Sequence, residues 1–125
     1  MPYEISFTKK VEVQDPSIYI NDCCWGGDVV RDRLLPLIRT NFEGVWTAQE
    51  DWGWFIWFQR GKLRLAVDIF SDDRDGHFRL WLSSQRKRFL IRDLVVDTPE
   101  LEEVLKLVMA ELTNWADDMD VKRVS

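Results

Sequence analysis

Residues 52–70, WGWFIWFQRGKLRLAVDIF, constrain the fold more than any other stretch of the chain. Two runs rich in aromatic and branched side chains flank Arg60-Gly61. Glycine tolerates the positive φ that a tight two-residue turn demands, so the stretch predicts a β-hairpin. With Gln59 set opposite Lys62, Phe58 faces Leu63, Trp57 faces Arg64, Ile56 faces Leu65, Phe55 faces Ala66, Trp54 faces Val67, Gly53 faces Asp68 and Trp52 faces Ile69. Alternation along each strand then separates two faces. Trp52, Trp54, Ile56, Phe58, Leu63, Leu65, Val67 and Ile69 make an expected core face. Phe55, Trp57, Arg64, Ala66, Asp68 and Phe70 make a second face, too aromatic for ordinary solvation and too charged for an ordinary core.

The remaining elements arrange themselves around that hairpin. Residues 3–13 alternate as a first strand, ended by Asp15-Pro16. Asp28 is an expected N-cap for a helix carrying Val29, Val30, Leu34, Leu37 and Ile38, which Pro36 should bend or split. Residues 45–48 read as a short strand, and residues 77–84 as another with Phe78, Leu80 and Leu82 on the core side. Pairing Phe70 with His77 continues the core face across the second hairpin. A turn at residues 84–87 then leads to a strand at 88–93, placing Leu90 and Arg92 beside Trp81 and Arg79. Thr98-Pro99 announces a second helix, with acidic residues in its first turn and Leu101, Val104, Leu105, Val108, Leu112 and Trp115 at helical spacing. Residues 117–125 are polar and expected to fray.

The expected fold class is therefore α+β: an antiparallel meander of about five to six strands with two helices packed mainly on one face, in the order β-α-β-β-β-β-β-α. A chain of 125 residues that is 46% hydrophobic fits a single domain able to bury a core without metals or disulfides. A net charge of −5 argues against a general nucleic-acid binder and favours solubility or a basic partner. The adjacent Cys23 and Cys24 offer neither a favourable disulfide nor zinc-ligand spacing, which suits a reducing cytoplasm. No apolar run reaches the roughly 18 residues of a membrane span, and the start of the chain lacks the features of a signal peptide.

No motif names a reaction or a cofactor. The aromatic and arginine face is the candidate site, with Phe55, Trp57, Arg64, Asp68, Arg79, Trp81 and Arg92 as its binding residues. Tryptophan and arginine are the anchors that carry most interface energy. The function expected is that of a small non-enzymatic module, inhibitor-like, immunity-like or self-associating, that holds a protein partner or a second copy. A purely structural reading has Arg64 stacked on Trp57 and Asp68 paired with Arg79, and another has the first helix covering this face. The alternative function is a small enzyme or ligand binder at the loop Cys23-Cys24-Trp25-Gly26-Gly27, with His77 as a conceivable base. A third reading is an anionic-ligand or nucleic-acid site built on Arg79, Arg86, Lys87, Arg88 and Arg92. Residues 71–76, SDDRDG, have the spacing of half a calcium loop, but Leu82 stands where the bidentate glutamate belongs, so a solvated turn is expected.

Overall fold

The hairpin forms, two residues away from the expected register. Trp54 faces Ile69, Ile56 faces Val67 and Phe58 faces Leu65, with Gly61 and Lys62 as the turn between Arg60 and Leu63. Gly61 supplies the positive φ, 59°, at the first turn position. A slip of two preserves side-chain parity, so the core face survives with Trp54, Ile56, Phe58, Leu65, Val67 and Ile69 buried. Trp52 leaves it. Its ring packs on Phe55 and Phe70, on the opposite face.

The computed structural model describes residues 2–88 and 91–124, with side chains described outside residues 87–94. The elements in chain order are β1 (Tyr3–Thr8), two short 3-10 turns, α1 (Gly27–Asn41), β2 (Glu43–Glu50), β3 (Gly53–Arg60), β4 (Leu63–Ser71), β5 (His77–Arg88), β6 (Ile91–Val96), α2 (Pro99–Thr113) and β7 (Asp117–Arg123). The strands form one antiparallel sheet in the order β2-β3-β4-β5-β1-β7, with β6 also paired to β5. This is the α+β arrangement expected.

Several placements differ from expectation, among them the second hairpin, where Phe70 faces Arg79 rather than His77. Residues 84–87 continue β5 rather than turning, because Ser84 pairs with both Leu65 of β4 and Val96 of β6. The following strand is accordingly β6, later in the chain than residues 88–93. The segment expected to fray is β7, which pairs with β1 while Met119 and Val121 alternate onto the core. The first strand ends at Thr8, and β5 serves both β1 and β6: its first half pairs with β1, its second with β6.

Both helices cover the core face. Val30, Leu34 and Ile38 of α1 and Leu101, Val104, Val108 and Leu112 of α2 join Ile56, Val67 and Leu80 in one buried cluster. α1 begins after Gly26, whereas Asp28, the expected cap, instead accepts a hydrogen bond from the Tyr19 hydroxyl at 2.6 Å. Pro36 does not split α1. It sits on the exposed side, where the carbonyl of exposed Asp32, four residues back, can be satisfied by water.

Thr98 caps α2 as expected, and its hydroxyl also ties the helix to the sheet. Thr98 Oγ1 accepts from the Leu101 amide at 3.1 Å and donates to Ser84 Oγ at 3.1 Å, and Ser84 donates to the Val96 carbonyl at 2.6 Å. Both hydroxyls are buried. Thr98→Ala is expected to cost about 1–2 kcal/mol, read as a lower urea midpoint, whereas Thr98→Ser retains most of it.

Candidate functional site

Because α1 and α2 occupy the core side, the second sheet face has no helix over it. Its layout follows from the observed registers. One row runs Ala48, Phe55, Asp68, Trp81, Glu4, and the row beside it runs Trp46, Trp57, Ala66, Ser83. The expected rows paired Phe55 with Ala66 and Trp57 with Arg64. The two-residue shift brings Asp68 between Phe55 and Trp81 instead.

The face divides into a closed part and an open part. The closed part is an aromatic cluster. Phe55 is fully buried although it points away from the main core, with Trp57 stacked at 4.2 Å between ring centroids, Trp46 edge-on at 5.0 Å and Trp52 at 6.3 Å. Phe70 continues the cluster towards Trp81 and lies under the Arg79 guanidinium. The open part lies beside it: Trp46 is 57% exposed and Trp57 43%, which makes both indoles available to a ligand. Together with Arg64, Ala66, Asp68 and Ser83 they line a cleft of about 350 Å³.

The expected site residues separate along the same division. Trp57, Arg64 and Asp68 line the cleft, whereas Phe55, Arg79 and Trp81 belong to the packing that supports it. The expected Asp68–Arg79 pair does not form. Arg79 binds Asp72 at 2.8 Å and Glu4 at 3.5 Å, because its strand position lies opposite Phe70 rather than Asp68. The Leu90 and Arg92 side chains lie outside the described residues, and the observed pairing sets β6 against residues 84–88, while β1 lies beside Arg79 and Trp81.

Two carboxylates on one row have opposite environments. Glu4 accepts from the Trp81 indole at 2.9 Å and pairs with Lys122 at 3.1 Å and Arg79, and the Trp81 hydrogen bond leads the interactions that hold its carboxyl below the usual range. Asp68, beyond Trp81, is pushed up to about 6 by burial, opposed by a long 3.4 Å hydrogen bond from the Trp57 indole. Glu4 is thus compensated by cations. Asp68 is the carboxylate that borders the cleft with its desolvation incompletely offset.

No family model matches this chain, and no curated protein or solved structure matches it. The site therefore rests on geometry alone.

The remaining candidates fare differently. Cys24 is buried, its thiol is raised by burial, and it donates to the Glu50 carbonyl at 3.0 Å, all unfavourable to a reactive thiolate. His77 pairs with Asp73 at 2.7 Å. Two carboxylates of the 71–76 loop are engaged within the protein: Asp73 accepts from the Asp75 amide, and Asp72 binds Arg79. Among the described residues no helix is long and apolar enough to cross a membrane.

Trp46 and Glu4 are the site residues the sequence reading missed. Trp46 had a local signal, since a two-residue turn at Asp51-Trp52 places Glu50 opposite Gly53 and Trp46 opposite Trp57. Glu4 had none, because its neighbour Trp81 is 77 residues away.

Proposed function

We propose that this chain is a small non-enzymatic binding module, inhibitor-like or immunity-like, that presents its helix-free sheet face to a protein partner. The supporting observation is that Trp46 and Trp57 stand exposed together beside a cleft, on a face rich in the residue types that anchor interfaces. The aromatic cluster beneath them makes the indoles rigid, which reduces the ordering cost of binding. The acidic balance of the chain, −5, favours a basic partner and disfavours nucleic acid, and the adjacent unpaired cysteines fit a reducing cytoplasm.

A photo-crosslinking residue at position 46 tests the reading, with one at exposed Lys106 on α2 as the control. The expected result is a discrete adduct from position 46 alone, and binding of the captured protein weakened about thirtyfold or more by Trp57→Ala. Equal labelling from both positions, or unchanged affinity in a folded Trp57→Ala protein, overturns it.

A further inference from the structure

The cleft combines three features that together select a ligand charge. Its walls include the Trp46 and Trp57 indoles, whose centroids are 5.4 Å apart at an interplanar angle of 75°. Its floor is small, the paired Ala66 and Ser83, leaving room above the sheet. At one end stands Asp68, a half-buried carboxylate whose described hydrogen-bond donor is one of those same indoles. Indole faces attract cations through the ring quadrupole, and a partly desolvated carboxylate gains most from a cation that replaces lost water. Arg64, four residues along β4 and on the same face, also lines the cleft.

We propose that this cleft receives the cationic head of a basic side chain, a guanidinium or ammonium, carried by the protein partner and seated between Trp46, Trp57 and Asp68. The proposal rests on the protein-binding reading and adds the chemistry of the anchor. Charge complementarity singles out this occupant: the chain is acidic, and the open carboxylate lies inside an aromatic enclosure rather than on a solvated face. Compensation of Asp68 by an incoming cation also supplies what Glu4 obtains internally from Lys122 and Arg79.

The pH dependence follows from the groups around Asp68. β3 contributes Phe55 and Trp57 and β2 contributes Trp46 and Ala48, all uncharged; β5 contributes Trp81 and Arg79, β1 contributes Glu4, and β4 contributes Arg64. The Asp72 hydrogen bond holds Arg79 above its usual range, and Glu4 is held low. A proton therefore competes with the cation at Asp68, and affinity falls as pH drops through about 6.

Nα-acetyl-arginine amide and its uncharged near-isostere, Nα-acetyl-citrulline amide, are the probes, followed by the indole N–H signals of Trp46 and Trp57 in nuclear magnetic resonance titrations. The arginine derivative is expected to shift the Trp57 signal saturably and to bind at least about tenfold more tightly than the citrulline derivative. Asp68→Asn, which preserves shape, is expected to abolish that preference while the circular dichroism spectrum is unchanged. Equal binding of the two probes, no saturable shift with either, or an unaltered preference in folded Asp68→Asn overturns the proposal. A position-46 adduct that persists under any of these outcomes leaves the protein-binding reading intact. Selective arginine binding with no adduct supports the cation site and overturns that reading instead.

Discussion

Phe55→Ala is expected to destabilise the protein by about 3–5 kcal/mol, as much as a deletion in the main core, although Phe55 lies on the helix-free face. The ring is fully buried, and the surfaces that bury it are the indoles of Trp46, Trp52 and Trp57. Removing it leaves a void that these large rings can fill only by tilting inward, which would also deform the cleft. Trp46→Ala is the matched comparison: its ring is 57% exposed, so much less burial is lost and a cost of about 1 kcal/mol is expected. Urea denaturation of both variants checks this. A Phe55→Ala midpoint as close to wild type as that of Trp46→Ala would mean that the aromatic cluster does not act as a second small core.

Asp68→Asn is expected to stabilise the protein at neutral pH. The folded carboxyl titrates near 6 against an unperturbed value of 3.8. Its pKa is raised, so between those values the folded state binds more protons than the unfolded state, and stability falls as pH rises across that window. The penalty is absent below about 3.8 and complete above about 6. A shift of this size corresponds to about 3 kcal/mol as an upper figure, and partial solvent access reduces it to about 1–2 kcal/mol. Asparagine carries no charge to desolvate and can still accept the Trp57 N–H. The gain should therefore be present at pH 7.5 and vanish near pH 4 in paired denaturation curves. An equal gain at both pH values would place its origin in packing rather than in ionisation. Glu4 works in the opposite direction, because its lowered carboxyl contributes stability above the ordinary value of 4.5 that is lost as pH falls.

Much of the fold is legible because it is governed by parity and helical spacing. The two-residue error at Gly61-Lys62 left every hairpin side chain from Trp54 to Ile69 on its expected face, since strand alternation has a period of two. The same shift altered which residues are neighbours, and neighbours define a site: Asp68 moved between Phe55 and Trp81, and Arg79 found Asp72. β7 was hidden by its charges, although Met119 and Val121 carried the alternation of a strand with one buried side. The pairing of β1 with β5 and β7 joins residues far apart in the chain, for which a single sequence offers no turn to read. Trp52 takes the opposite face because it belongs to the turn that precedes Gly53, where strand alternation does not hold.

The end strands of the sheet also limit how two copies of this chain could meet. β7 carries Asp117, Asp118, Asp120, Lys122 and Arg123 along its length, a charged border that discourages an added strand. β2 departs from regular pairing between Glu43 and Trp46, where Gly44 adopts a φ of 61°, and such a bulge twists a border strand away from straight templating. Runaway strand-to-strand polymerisation is thereby disfavoured at both ends of the strand order. A contact between copies through the exposed indoles would instead meet broadside, which makes a closed pair rather than a growing ribbon.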